Sequence, residues 1–313
     1  MEKDQKEEEK EQNKVKANEK ILVTAALPYV NNIPHLGNLM PILAADLFAR
    51  CMRLLGYNVL FVCGTDEHGT TTQLRAIQLN KRPAEVCDEY FRIHKKIYEA
   101  FKFSFDCFGR TSSKANKELT QHIFLKLYEN GYILQKEVTQ FYCKHCNLTL
   151  ADRFVEGICP FCGYPKARGD QCEACGKLLE AIQLKEPKCV LCKNTPELRR
   201  SKHLLIDLAK LKSKLVEWLK EEKRFSLNAL RETQTWLKQL KPRCITRDLS
   251  WGIEVPLPEW KDKVFYSWFD APIGYIGITK EHRKDWQEWW KPREKGKVKL
   301  YPVSYTHLRA HET

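Results

Sequence analysis

The stretch from residue 21 to residue 63 constrains the fold most, because it reads as a strand, a helix and a second strand in quick succession. Residues 21–26 and 58–63 are runs of apolar and β-branched side chains, each with the length of a buried strand. Between them, apolar residues recur at helical spacing until Gly56: Leu39, Ile42, Leu43, Leu47 and Phe48. Strands joined by one crossover helix must be parallel, so we predict a right-handed βαβ unit in an α/β fold.

Two polar loops follow the two predicted strands and leave the sheet at the same edge. The first carries His35, Gly37 and Asn38, and the second covers residues 64–70. Ligands of open α/β sheets bind at this edge, where the free amides of a helix N-terminus also attract phosphate. Neither loop has the GxxxxGK[ST] or GxGxxG pattern, which argues against ordinary P-loop and dinucleotide sites. We expect His35, Asn38 and backbone amides to contact phosphate, with Gly37 allowing a close approach.

Helical periodicity marks four further segments, which are residues 90–103, 114–131, 203–219 and 227–240. Residues 105–110 read as a short strand with a turn. Residues 263–268 form an aromatic, β-rich run, which we predict to be another strand of the same sheet. That strand would end in a loop over residues 269–275.

Eight of the 13 cysteines form four C-x-x-C pairs in the middle of the chain. Each pair can turn two thiolates towards one tetrahedral metal, and two pairs complete a Cys₄ zinc site. A disulfide framework is disfavoured in a chain without a secretion signal, and a redox motif needs only one pair. Spacing alone allows sequential or nested pairing. We predict two structural zinc sites made by these ligands: Cys143, Cys146, Cys159, Cys162, Cys172, Cys175, Cys189 and Cys192.

The composition indicates a globular protein of 313 residues with room for two domains, and its net charge of +13 favours a polyanionic partner. Residues 1–20 are mostly Glu, Lys, Gln and Asn, so we expect a disordered, charged tail. The tail lacks the apolar core of a signal peptide, and no later segment is apolar over a membrane-spanning length. We therefore expect a cytoplasmic protein with no membrane partner.

The first loop resembles the first signature of class I aminoacyl-tRNA synthetases, and specifically that of the methionyl-tRNA synthetase family. The similar residues are 26–29, which read Ala-Leu-Pro-Tyr, and 35–38, which read His-Leu-Gly-Asn. Likeness continues at residues 154–163 and 168–172 around the cysteines, at Arg247 with Asp248, and at residues 268–275. These separated signatures occur in the family's order, and the resemblance covers residue 21 to about residue 301.

The resemblance implies a Rossmann-like parallel sheet, incomplete here, with an inserted zinc-knuckle connective domain. The first half of the catalytic domain would cover residues 21–131 and the insertion residues 132–241, with the knuckles at about 140–195. The chain would return to the catalytic domain over residues 242–301. In the family the knuckle carries an inner zinc site, and many members add an outer one. Together with the short Gly-rich loop between the inner pairs, this favours nested pairing.

The resemblance also assigns roles to single residues. Asp66 would receive the α-ammonium of methionine, Arg247 would orient its carboxylate, and His68 would support the adenylate. The three residues of the first loop would act on the phosphates of ATP. The methionine side chain would lie in a slot lined by Leu27, Tyr29, Trp268, Ala271, Pro272 and Tyr275.

The implied activity is that of a methionine–tRNA ligase. Such an enzyme uses ATP with Mg²⁺ to activate methionine as methionyl-adenylate and transfers the methionyl group to tRNA(Met). A multi-synthetase complex is a further implied partner. Asn38 departs from class I enzymes that have a second His there, and the lysine-rich second signature does not occur before Thr313. Residues 302–313 do not continue the pattern, so we expect a truncated chain, inactive alone, with a foreign tail.

Two other functions remain open at this point. The chain could be a zinc-knuckle nucleic-acid-binding protein on an α/β scaffold, in which case it has no need of an amino-acid slot. It could instead be a sister class I synthetase for leucine, isoleucine or valine. Those enzymes normally carry a large editing insertion, and no segment here is long enough for one.

Overall fold

The computed structural model describes residues 18–221, 227–238, 240–291 and 298–303. Most of the predicted charged tail and residues 304–313 lie outside these ranges. The helices are α1 (Leu36–Leu54), α2 (Thr70–Leu79), α3 (Pro83–Ala100), α4 (Lys114–Glu129), α5 (Leu208–Glu221), α6 (Leu227–Lys238), α7 (Ser267–His282) and α8 (Trp286–Trp290). None of the described helices has both the length and the apolarity needed to cross a membrane.

The strands of the described ranges fall into four small sheets. In chain order they are β1 (Lys20–Ala25), β2 (Asn58–Thr65), β3 (Cys107–Arg110), β4 (Ile133–Cys143), β5 (Leu148–Leu150), β6 (Val155–Ile158), β7 (Ala167–Arg168), β8 (Lys185–Cys189), β9 (Glu197–Ile206), β10 (Arg243–Cys244), β11 (Thr246–Arg247), β12 (Val264–Phe265) and β13 (Val298–Val303). The chain divides into two compact units, of which the second is residues 121–266 and the first is the remainder. The sequence had placed the insertion over residues 132–241.

A four-stranded sheet organises the first unit, with strand order β13-β1-β2-β3. All of its pairings are parallel, which confirms the predicted βαβ unit. Successive side chains of a strand point to opposite faces, so each strand supplies two cores. Ile21 and Val23 pack with α1 and α3 on one face, whereas Leu22 packs with Ile278 of α7 and Trp289 of α8 on the other. Burial on both faces explains why β1 and β2 are apolar without alternation.

The second unit is mostly antiparallel. One sheet has the order β10-β9-β4-β5, another has the order β7-β6-β8, and β11 pairs with β12. Residues 203–206, which we predicted to begin a helix, lie in β9 and pair with residues 133–136 of β4. Leu204 and Leu205 are both buried there, so long-range pairing overrides the local helical spacing. The predicted helix over residues 227–240 is present as α6.

The prediction for residues 263–275 was wrong. Only Val264 and Phe265 are in a strand, and that strand pairs antiparallel with β11 in the second unit. The predicted loop over residues 269–275 is the first half of α7, which contains Pro272 within its length. A proline normally interrupts a helix, but here α7 packs closely against β2 and β3, and this packing outweighs local propensity. Pro302 and Val303, assigned to a tail, lie in β13.

Two glycines allow α7 to approach the parallel sheet. A Cβ at Gly64 of β2 would lie 2.5 Å from the Gly109 carbonyl oxygen and 2.5 Å from Ile278 Cδ1. A Cβ at Gly109 of β3 would lie 3.0 Å from Ile278 Cγ1 and Cγ2. At Gly64 the obstruction is partly backbone, whereas at Gly109 it is a side chain that can shift.

We expect Gly64→Ala to lower the free energy of unfolding by about 1–3 kcal/mol, because the added methyl overpacks the strand–helix contact. Gly109→Ala should cost less, and combining it with Ile278→Ala should give a smaller loss than the sum of the single changes. Denaturant unfolding of the parent and the four variants measures this. A Gly64→Ala variant as stable as the parent would show that the sheet and α7 do not pack so closely.

Candidate functional site

A pocket of about 320 Å³ opens in the first unit, at the carboxyl end of β1 and β2. It brings together segments that are about 200 residues apart in sequence: one around residues 26–29, one at Asp66 and one at the start of α7. Its lining residues are Ala26, Leu27, Tyr29, Asp66, Ser267, Trp268, Ala271, Pro272 and Tyr275. Seven of these nine residues are ones that the sequence placed around methionine; Ala26 and Ser267 were missed.

The first turns of α7 form one wall of the pocket. Trp268, Ala271, Pro272 and Tyr275 occur at positions i, i+3, i+4 and i+7, which is the spacing of one face of a helix. The Tyr275 hydroxyl donates a hydrogen bond of 3.0 Å to the Ala25 carbonyl, which ties the wall to the end of β1. This spacing is the signal in the sequence that could have identified residues 267–275 as helical.

Asp66 supplies the polar end of the pocket. Its backbone N–H donates to the Pro28 carbonyl at 2.9 Å, and its carbonyl accepts from Val30 at 3.3 Å. The carboxyl group is buried, and its Oδ1 has no hydrogen-bond partner among the described residues. Burial raises the pKa of Asp66 well above its usual value, and the nearby charge of Asp270 raises it further. A buried acceptor of this kind is satisfied by a cationic donor that enters the pocket.

Glu67, the next residue, has a carboxylate whose hydrogen bonds are satisfied within the protein. Its fully buried carboxylate accepts hydrogen bonds from Arg110 Nε at 2.8 Å, from Thr65 Oγ1 at 3.1 Å and from the Ser112 hydroxyl. Its backbone N–H donates to Thr111 Oγ1 at 3.0 Å. The carboxylate is therefore a structural anchor that joins the loop after β2 to the end of β3. The sequence alone did not identify this role.

His68 is buried and does not line the pocket. Its Nδ1 lies 2.7 Å from Oδ2 of Asp270, which is also buried. The contact joins the loop after β2 to α7. In the structure, His68 therefore serves as a buried link between these two segments. A direct contact with the adenylate remains a prediction.

His35, Gly37 and Asn38 lie at the N-terminus of α1 and do not line the pocket. His35 is exposed at the N-cap, and its backbone N–H donates to Asn38 Oδ1 at 3.1 Å. A Cβ at Gly37 would lie 2.9 Å from Cε1 of the His35 ring, so glycine lets the imidazole fold over the first turn. Asn38 thus has a capping role in addition to the phosphate contact that we predicted.

Arg247 belongs to the second unit, where its guanidinium lies 3.5 Å from the centroid of the Tyr266 ring. Its neighbour Asp248 forms ion pairs with Lys263 and with His203, the latter at 3.2 Å. Burial opposes both shifts, but these partners hold the pKa of Asp248 below its usual range, and Asp248 together with Cys244 raises the pKa of His203 to about 9. Asp248 is thus an anchor of the second unit, and the role of Arg247 towards a carboxylate stays a prediction.

The eight paired cysteines form two groups of four, in nested order. Cys143 and Cys146 lie with Cys189 and Cys192, and the four inner cysteines form the other group. Within each group all the sulfur atoms lie within 4.8 Å of one another, which suits one tetrahedral ion. All four donors of each group are thiols, so the donor set fits Zn²⁺ and leaves no position open for a substrate.

Each C-x-x-C pair is followed by a residue in the left-handed region, with φ between 50° and 76°. These residues are Asn147, Gly163, Gly176 and Lys193. The amides of the last three donate to the carbonyl of the first cysteine of the pair, at 2.8 to 3.0 Å. The chain therefore reverses tightly behind each pair, which aims both sulfur atoms at one point.

Comparison with known proteins agrees with this geometry. The family model of tRNA synthetases class I (M) matches residues 21–303. A methionine–tRNA ligase of Borrelia hermsii is 54% identical over 279 residues, which are 88% of this chain and 38% of the relative. The cytoplasmic methionine–tRNA ligase of Homo sapiens is 51% identical over 286 residues, which are 90% of this chain and 32% of the relative. The chain thus spans less than half the length of these relatives.

A solved structure shows the same fold. Mycobacterium tuberculosis methionyl-tRNA synthetase in complex with methionyl-adenylate superposes with a TM-score of 0.64 at 22% sequence identity. The match covers 87% of this chain and 50% of that chain. The family match decides against both a separate zinc-knuckle protein and a sister synthetase. With its parallel sheet, its nested cysteine groups and a family match over residues 21–303, this chain belongs to the tRNA synthetases class I (M), the methionyl-tRNA synthetases.

Proposed function

We propose that this chain forms the methionine-binding part of a methionine–tRNA ligase. One observation carries the proposal: a single pocket is lined both by Asp66, whose buried Oδ1 has no hydrogen-bond partner among the described residues, and by an aromatic and apolar wall. Methionine has both complementary groups, an α-ammonium at one end and a polarizable thioether at the other. A thioether packs well against aromatic edges, and an ammonium needs an acceptor once it leaves water.

In the proposed reaction, the methionine carboxylate attacks the α-phosphate of ATP, and pyrophosphate leaves. Asp66 holds the ammonium, Arg247 orients the carboxylate, and the α7 wall receives the side chain. His35, Asn38 and the free amides at the start of α1 interact with the phosphates, because a helix N-terminus favours negative charge. The methionyl group then passes to the terminal ribose of tRNA(Met). No covalent enzyme intermediate is required, so catalysis depends on positioning and on charge stabilisation.

The proposed cofactors are two structural zinc ions, one per cysteine group, and Mg²⁺ that accompanies ATP. Zinc would hold together the turns of the second unit and take no part in the reaction. Several relatives are named as cytoplasmic enzymes, which supports a cytoplasmic location for this protein. We also propose that residues 132–241 form a connective insertion between the two parts of the catalytic domain, and that the protein joins a multi-synthetase complex.

Replacing the ammonium acceptor tests the amino-acid site. We expect Asp66→Asn to weaken methionine binding by about 2–4 kcal/mol, or tens to hundreds of times, because a charge-assisted hydrogen bond is lost. Isothermal titration calorimetry measures the affinity. Asp46→Asn is the control, since Asp46 is a buried carboxylate that binds Ser104 and Arg50 away from the pocket. Equal methionine affinity in the Asp66 variant and the parent would refute the assignment.

The same substitution should stabilise the protein when no methionine is present. A raised pKa means that folding disfavours the ionised Asp66 carboxyl, so this group opposes folding at neutral pH. We expect Asp66→Asn to raise the free energy of unfolding at pH 7. The difference should shrink as the pH falls towards about 3.9, where an unfolded Asp is also protonated. Denaturant unfolding between pH 4 and pH 7 measures it, and a loss of stability at pH 7 would contradict it.

Single cysteine variants test the metal proposal. We expect two zinc ions per chain, with Cys172→Ser losing the inner ion and Cys189→Ser losing the outer one. Native mass spectrometry of freshly reduced protein counts the metals. Cys51→Ser is the control, because Cys51 is exposed and lies outside both groups, so it should keep both ions. The assignment of these cysteines as zinc ligands is disproved if each variant retains two zinc ions.

A further inference from the structure

Asp270 is a second buried carboxylate close to the ammonium acceptor. It is fully buried in α7, and its Oδ1 has no hydrogen-bond partner among the residues that the structure describes. It does not line the pocket, so it is not placed to contact an amino acid directly. Burial raises its pKa, and its charge raises the pKa of Asp66. An apolar residue could fill this position without the free-energy cost of burying a carboxylate. We therefore expect Asp270 to have a role beyond packing.

One residue, His68, contacts both carboxylates. The imidazole Nδ1 lies 2.7 Å from Asp270 Oδ2, and the backbone N–H of His68 donates to the Asp66 carboxylate. A displacement of the His68 ring would therefore move the amide that orients the ammonium acceptor. His68 is 4% exposed and Asp270 is 0% exposed, so water cannot easily replace either partner.

The loop that carries Asp66 is held from two directions. On one side, Glu67 is anchored to Arg110 at the end of β3. On the other side, His68 is anchored to Asp270 in α7. The same helix presents Trp268 and Tyr275 to the pocket, so Asp270 links the wall for the methionine side chain to the loop for its ammonium.

We propose that Asp270 is a positioning residue for ammonium recognition, acting through His68 on Asp66. This inference rests on the proposed function, because it assigns the ammonium of methionine to Asp66. Asp270 holds the imidazole, the imidazole places the His68 amide, and the amide fixes the direction of the Asp66 carboxylate. Recognition of the thioether does not pass through this chain of contacts. Loss of Asp270 should therefore affect the ammonium end of the ligand and spare the side-chain end.

The test compares two ligands by calorimetry: methionine and its deamino analogue, in which hydrogen replaces the α-ammonium. We expect Asp270→Ala to weaken methionine binding about tenfold, which is typical of coupling between contacting residues, and to leave the analogue unchanged. Asp270→Asn keeps an oxygen acceptor for Nδ1 and should give an intermediate affinity for methionine. In an Asp66→Asn background, Asp270→Ala should cause no further loss.

The controls separate this inference from the proposed function. Asp46→Ala removes a buried carboxylate elsewhere in the same unit, so it should change stability while keeping the parent's affinity ratio for the two ligands. Equal weakening of both ligands by Asp270→Ala would show a merely structural role and overturn the inference. Unchanged methionine binding in that variant would overturn it too. If Asp270→Ala fails to fold, the ratio of the affinities of Asp270→Asn for methionine and for the deamino analogue decides the question in its place. Failure of the unaltered chain to bind methionine would instead refute the proposed function.

Discussion

The parallel pairing of β1 with β2 is the constraint on which the site depends. Parallel strands have their carboxyl ends at one edge of the sheet, so the loops that follow them must meet there. The backbone bonds between Asp66 and residues 28 and 30 show how close the two loops come. Helix α7 packs on the face of the sheet opposite α1 and α3, where Gly64 and Gly109 let it come close. Its first turns therefore reach the same edge. The parallel direction of the strands and the two glycines thus bring three distant segments to one pocket.

The loop after β2 shows that two adjacent buried carboxyl groups can differ sharply in their hydrogen bonding. Glu67 and Asp66 are adjacent carboxylates, and both are buried. Glu67 has three donors, so its burial is compensated within the protein. Asp66 has an oxygen that nothing in the described structure satisfies. An unsatisfied buried oxygen of this kind lowers the stability of the folded protein. Such a loss is common at sites where a ligand supplies the hydrogen-bond donor.

The sequence predicted the parts of the molecule whose patterns are local. The first βαβ unit and the α4 and α6 helices follow from periodicity, and the nested cysteine groups follow from pair spacing combined with family likeness. The error at residues 263–275 came from giving most weight to the aromatic, β-rich composition of residues 263–268, although the spacing of the side chains from Trp268 to Tyr275 already favoured a helix. The anchoring roles of Glu67 and Asp270 were not predictable in this way. They depend on Arg110 and His68, which only the tertiary fold brings within hydrogen-bond distance.

The position of β13 next to β1 has a consequence for the order of folding. Lys20 pairs with Val298, so β1, the first described strand, completes its pairing only after β13, the last described strand, has been synthesised. Between them the chain makes the second unit, which has its own sheets and its own buried side chains. The entropy lost in closing so long a connection grows only slowly with its length, but pairings with high contact order form late. The edge of β1 is therefore exposed on the ribosome until β13 has been synthesised, a period in which a chaperone or a bound ligand would protect it most.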